Sequence, residues 1–170
     1  LGLYLATLAP TLSWGDRNYG ADGGELLAAA YTFGIPHPPG YPTYILLLKL
    51  FGTIAPFGDF AYRGNLLSAV LASLSVGLIY WVTYRFCRFL MPSVSRTIPI
   101  TSAALGGAIF ATSPLFWSQA VMTEVYTLNT LFVGALVLIA SYLALRTPEE
   151  RERRARSAKT TMALFGLLLG

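Results

Sequence analysis

Charge in this chain is confined to a few short stretches between long apolar runs, and that segregation rules out most soluble architectures. Nine of the 12 basic residues, Arg85, Arg88, Arg96, Arg146, Arg151, Arg153, Arg154, Arg156 and Lys159, fall within 85–96 and 146–159, each bounded by apolar sequence. The acids Asp16, Asp22 and Glu25 follow the first apolar run, and Glu124 lies between two later ones. Charged residues make up 12% of the chain, against about a quarter in ordinary soluble domains. The pattern reads as a membrane protein whose basic loops stay on the cytoplasmic side, which leaves the acids on the opposite face. The net charge of +4 is accounted for by these flanks, so nucleic acid is not called for as a partner. A single Cys87 offers no disulfide pair.

Threading the apolar runs gives an all-α, polytopic transmembrane fold. Residues 1–10 read as the outer end of a first membrane helix, stopped by Pro10. Residues 66–84, 98–116 and 125–145 are each close to the roughly 20 residues that a hydrocarbon core of ~30 Å requires. Residues 146–159 form a basic cytoplasmic loop, and 160–170 start a further span. The chain opens and stops inside apolar runs, as expected of a segment of a longer membrane domain. Residues 43–55, between Pro42 and Pro56, reach only about 20 Å as a helix. Counting them as a span would move both basic segments to the acidic side, so they are expected to be an interfacial or re-entrant helix, with Lys49 snorkelling to headgroups. Residues 11–65 thus become an outer loop holding short interfacial helices.

Four groups in and around that face could carry chemistry. Asp22 and Glu25 stand three apart on the first turn of an apolar helix, a spacing that fits both a capping box and a positioned pair of carboxylates. A carboxylate held beside apolar helices at a membrane surface can serve as a general base. Four prolines within 36–42 stiffen the segment that presents His37 and Tyr41. Arg63 is a lone cation where the second membrane helix begins, suited either to a lipid phosphate or to anchoring among headgroups. Glu124 and Tyr126 lie at an outer helix boundary; an aromatic belt explains the tyrosine but not the acid. One histidine among scattered acids has no metal-ligand spacing, so no cofactor is assigned and a divalent metal is left open.

Together these segments resemble the membrane proteins of domain-of-unknown-function 2723, which include a protein O-mannosyltransferase and belong to the GT-C glycosyltransferase superfamily. The resemblance rests on Leu8-Ala9-Pro10-Thr11 with Trp14-Gly15-Asp16, on Asp22-Gly23-Gly24-Glu25, on Gly34-Ile35-Pro36-His37-Pro38-Pro39-Gly40-Tyr41-Pro42, on Tyr62-Arg63-Gly64-Asn65, and on Phe116-Trp117-Ser118-Gln119-Ala120 with Glu124-Val125-Tyr126-Thr127-Leu128-Asn129. In the commoner family pattern the Asp after Trp-Gly itself begins the acidic motif, whereas here residues 17–21 intervene. Asp16 and Asp22 are therefore both candidates for the base, with Asp22 preferred because Glu25 and the Ala-rich helix follow it directly. The resemblance implies a GT-C-like fold with its site in the first outer loop, on the non-cytoplasmic face. It implies a sugar donor, mannose-like, on polyprenyl or dolichyl phosphate, and transfer with inversion to a hydroxyl of a protein or lipid acceptor. In that scheme Asp22 is the base, Glu25 holds Asp22 or the acceptor, His37 and Arg63 meet the phosphate, Tyr41 lies with them, and Glu124 with Tyr126 shapes the sugar pocket. The competing reading is a transporter or lipid flippase, which requires acids deep within spans.

Overall fold

In the computed structural model, which describes residues 1–12, 22–145 and Arg156, the chain is all-α, with no strand among the described residues. Asp16 and the expected segments 146–159 and 160–170, Arg156 apart, lie outside the described residues. The elements are α1 (Gly2–Ala6), α2 (Gly23–Thr32), α3 (Pro42–Ile54), α4 (Phe60–Leu90), α5 (Thr97–Thr112), α6 (Pro114–Ala120) and α7 (Tyr126–Ala144).

Among the described residues two helices, α4 and α7, are long and apolar enough to cross a membrane. α4 has 31 residues, about 46 Å at ~1.5 Å each, and so exceeds a hydrocarbon core by several turns. It outruns the expected 66–84 at both ends because no breaker intervenes between the Asp59 cap, whose carboxylate accepts from the Tyr62 N–H at 2.7 Å, and Met91-Pro92. The expected continuous span 98–116 is instead broken into α5 and α6, bent by 68°. The cause is Pro114: it forces Ser113 into extended backbone (ψ 133°) and starts a new helix at its own first turn. The pair counts as a third candidate crossing if it forms one broken span.

α4 is the central post, with α5 and α7 packed along it. Gly134 lets α7 approach Leu78 closely, and Arg85 ties the two helices by donating to the Ser141 hydroxyl at 3.1 Å while lying 3.4 Å over the Tyr142 ring. Large apolar side chains such as Leu105, Ile109, Leu136 and Ile139 remain exposed on the outer faces of α5 and α7. At the other end of α4, α2 and α3 pack as a layer whose core is Leu26, Leu27, Ala30, Tyr44, Leu48 and Leu67. Lys49 of α3 is drawn to the end of α2. Its ammonium donates to the Tyr31 carbonyl at 2.7 Å, at the C-terminal end of α2, and lies about 5 Å from the Tyr31 and Phe33 rings.

Candidate active site

The site is assembled where the starts of α2, α3 and α7 converge beside α4. Two close backbone approaches make this possible. A Cβ on Gly23 would stand 3.0 Å from the Thr123 carbonyl oxygen, so Asp22-Gly23 is seated directly on Thr123-Glu124. A Cβ on Gly64 would meet the Thr123 hydroxyl at 2.5 Å and Leu27 at 2.8 Å. Next to it, Asn65 is buried and uses its whole amide: Nδ2 donates to the carbonyls of Ala9 (2.9 Å) and Thr11 (3.0 Å), and Oδ1 accepts from the Thr123 hydroxyl (2.8 Å). One side chain thereby fixes the tail of α1 and the α6–α7 turn onto α4.

The acidic turn does not form a capping box. Asp22 makes no side-chain cap bond, and Glu25 reaches away from its own helix to the proline loop. Its Oε1 accepts the His37 backbone N–H at 2.6 Å and its Oε2 pairs with Nδ1 at 2.7 Å. The opposite ring nitrogen, Nε2, then faces Asp22 Oδ2 at 4.0 Å and the Tyr41 hydroxyl at 3.5 Å. Tyr41 packs edge-on to the imidazole and adopts a left-handed backbone (φ 42°) as it caps α3, a conformation costly for a bulky residue. Hydrogen bonds from His37 hold the Glu25 carboxyl below its ordinary range, and the same pairing raises the His37 pKa, aided by the charges of Asp22 and Glu124.

Glu124 completes the cluster from beneath. It is 5% exposed, its backbone N–H donates to the Ser68 hydroxyl at 3.3 Å, and its Oε2 is buried with no hydrogen-bond partner. Burial pushes its pKa up to about 7, with the Asp22 charge acting the same way; the Val125 N–H and His37 pull in the other direction. Among the described residues, Asp22, Glu25, His37, Tyr41 and Glu124 thus come together. Tyr126 joins through a groove of about 330 Å³ between α3 and α7, lined by Tyr41, Thr43, Tyr126, Leu128, Asn129 and Phe132.

Arg63 is not part of this cluster. Its guanidinium donates to the carbonyls of Gly52 (2.8 Å), Phe57 (3.0 Å) and Gly58 (3.0 Å), clamping the α3–α4 connection with three of its five N–H groups. Tyr62-Arg63-Gly64-Asn65 is in this structure a folding device: cap partner, clamp, close approach and polar hub. Sequence reading missed Tyr44, Ser68 and Thr123, which line or brace Glu124. The usable signal was the run of polar residues Thr123-Glu124 facing Asn65 and Ser68, one turn apart on a helix start.

A sequence-family model described as Protein O-mannosyl-transferase TMEM260 N-terminal domain matches residues 22–170. A protein O-mannosyl-transferase TMEM260 of Mus musculus is 35% identical over 146 residues, covering 86% of this chain and 19% of that protein. Its counterpart in Dictyostelium discoideum is 28% identical over 158 residues, covering 89% and 17% respectively. The chain therefore spans less than a fifth of the length of these curated relatives. No solved structure matches it.

Proposed function

This chain belongs to the protein O-mannosyl-transferase TMEM260 N-terminal domain family, and from that premise we propose that it carries the acceptor-activating part of a membrane O-mannosyltransferase of GT-C type. The donor is a mannose-like sugar on a polyprenyl or dolichyl phosphate, and the acceptor is a Ser or Thr hydroxyl of a protein. The observation that supports this reading most is the Glu25–His37–Asp22 array, which Tyr41, beside the His37 ring, links to the α3–α7 groove it lines.

In the proposed step the acceptor oxygen attacks the anomeric carbon on the side opposite the phosphate. The new C–O bond forms as the bond from that carbon to the phosphate oxygen breaks, so the configuration inverts. The acceptor proton passes to Asp22, which is partly exposed and free of capping duty. His37, whose protonated form the Glu25 pairing favours, presents Nε2–H in that form to the departing phosphate, with the Tyr41 hydroxyl beside it. The apolar groove takes the start of the donor's lipid chain, and Tyr126 at its rim borders the sugar. Arg63 has no role in this scheme.

The membrane arrangement belongs to the same reading. α4, α7 and the bent α5–α6 pair cross the bilayer, the basic segments stay cytoplasmic, α2 and α3 lie at the outer interface, and the site faces away from the cytoplasm. A transporter or flippase is disfavoured because α4, α5 and α7 contain no Asp or Glu.

The test is sugar transfer by the full-length protein in membranes, using a labelled polyprenyl-phosphate mannose and comparing parent, Asp22→Asn and Glu25→Gln. Loss of transfer of at least about a hundredfold is expected for Asp22→Asn, within the range for a positioned general base, and a smaller loss for Glu25→Gln. Undiminished transfer by Asp22→Asn removes Asp22 as the base. Flux of lipid-linked sugar across the membrane without transfer decides for the transporter.

A further inference from the structure

Thr123 is held between two backbones that carry no side chain where they meet it. Its carbonyl oxygen lies 3.0 Å from where a Cβ on Gly23 would stand, and its hydroxyl 2.5 Å from where one on Gly64 would stand. The residue is buried, and its hydroxyl donates to Asn65 Oδ1 at 2.8 Å. The next residue, Glu124, donates its N–H to the Ser68 hydroxyl at 3.3 Å, so two consecutive residues of the α6–α7 turn are tied to α4. The turn is tied once more where the Ala9 N–H donates to the Val121 carbonyl at 3.0 Å, Ala9 being itself held by Asn65. The direction of the Asn65 amide is set by its partners: the carbonyls of Ala9 and Thr11 can only accept, so they take both Nδ2 hydrogens and leave Oδ1 to Thr123.

Asp22 lacks such anchors. Its carboxylate makes no cap bond with α2, and its Oδ2 lies 4.0 Å from His37 Nε2, beyond hydrogen-bond distance. The place of that carboxylate is therefore set by the backbone that carries it, and this backbone rests on Thr123 through Gly23. We propose that Thr123, clamped by Asn65, is the positioning residue that sets the Asp22 carboxylate at its working distance from the acceptor hydroxyl. This rests on the transferase reading for Asp22. Proton transfer needs the two oxygens within about 3 Å of one another, and a misplacement of ~1 Å costs about a hundredfold in rate. A shift of the α2 start is felt in the chemical step and not in donor affinity, because the groove assigned to the donor lies between α3 and α7 and has no lining residue from α2.

The experiment uses full-length protein in phospholipid membranes and compares the parent with Gly23→Ala, Thr123→Val and Thr123→Ser, each alone and combined with Asp22→Asn. Gly23→Ala sets a Cβ against a carbonyl that cannot retreat, and Thr123→Val keeps the shape of the side chain but removes the donor to Asn65. Each should lower kcat by on the order of tenfold while donor KM stays within about twofold. Thr123→Ser keeps the hydroxyl and should recover most of that loss. Combined with Asp22→Asn, Gly23→Ala and Thr123→Val should cost nothing further, since the base they position is already gone. Losses that multiply in full on that background, or that fall on donor KM, overturn the positioning role. Amide hydrogen exchange gives a reading that needs no turnover. The first turn of α2, where the Leu26 N–H donates to the Asp22 carbonyl at 2.9 Å, should exchange at least about fivefold faster in Thr123→Val than in the parent, with α3 unchanged. Equal exchange in the two proteins, or a rise shared by α3, overturns the seat. If parent protein transfers no sugar at all, the transferase reading fails, while the exchange rates still decide whether Thr123 holds the Asp22 turn.

Discussion

Glu25 grips His37 at two atoms, accepting its backbone N–H at 2.6 Å through Oε1 and pairing with its Nδ1 at 2.7 Å through Oε2. This double contact fixes the loop through the backbone N–H and the ring through Nδ1, so the imidazole cannot turn without breaking its own bond to Glu25. With Nδ1 occupied, Nε2 is the nitrogen offered to the site.

Glu25→Gln should therefore lower the His37 pKa, since the hydrogen bond and charge that favour the imidazolium are lost. Titration of the ring's carbon-bound protons by NMR reads this directly. The stability sign follows from both shifts. The His37 pKa is raised, so its contribution is lost as pH rises through that folded value; the Glu25 pKa is lowered, so its contribution is lost as pH falls through its own. The pair stabilises the fold only between these limits. In Glu25→Gln the acid edge should vanish and the alkaline edge should shrink, since Asp22 and Glu124 still favour the imidazolium, and an unaltered His37 titration would rule out the grip.

Filling the α3–α7 groove should discriminate against long-chain donors. Asn129 lines it from α7 and is exposed, so Asn129→Trp fits without disturbing the core. The expected result is a rise of about tenfold or more in KM for a long polyprenyl-phosphate sugar, worth roughly 1.4 kcal/mol. A short-chain donor should be affected less. Equal effects on both donors would place the lipid elsewhere.

Arg63 should matter for folding and not for donor affinity. Removing its fork from three carbonyls costs about 2 kcal/mol in Arg63→Ala, given that the site is partly open to water. Arg63→Lys keeps the charge but cannot span Gly52, Phe57 and Gly58, so it should recover less than half of that loss. Thermal unfolding in detergent, followed by tryptophan fluorescence, checks the order. A selective rise in donor KM for the folded fraction of Arg63→Lys would return Arg63 to the phosphate.

The helices of this fold were legible because they follow from composition along the chain. The apolar lengths that yield α4 and α7 are visible without coordinates, and so was the short helix between Pro42 and Pro56. The break at Pro114 was equally visible in principle, but length counting ran through it. What could not be read was pairing across distance. The Asp22–Glu25 spacing suits a capping box, and only the fold shows that Glu25 prefers the His37 loop. Lys49 and Arg63 looked like free cations at a membrane edge because a sequence cannot display the carbonyls that satisfy them. Gly23 and Gly64 carry no signal of their own; the contacts with Thr123 supply their meaning.

The burial of Glu124 should leave a signature in stability against pH. Its carboxyl ionises at about 7 in the fold, against roughly 4.3 in an unfolded chain. Between these values the folded state holds a proton that the unfolded state has released, so stability falls as pH rises, by at most about 1.4 kcal/mol per pH unit, and levels off above neutrality. Glutamine does not ionise, so Glu124→Gln should gain on the parent between about pH 5 and pH 8. Any cost of an ill-partnered amide beside Ser68 and Tyr44 is the same at every pH and leaves the slope untouched. The His37–Glu25 contribution also declines towards high pH, yet it is common to both proteins and largely cancels in their difference. Unfolding midpoints of the two proteins measured across this range give the answer, and parallel curves would mean that Glu124 ionises in the fold as readily as it does in water.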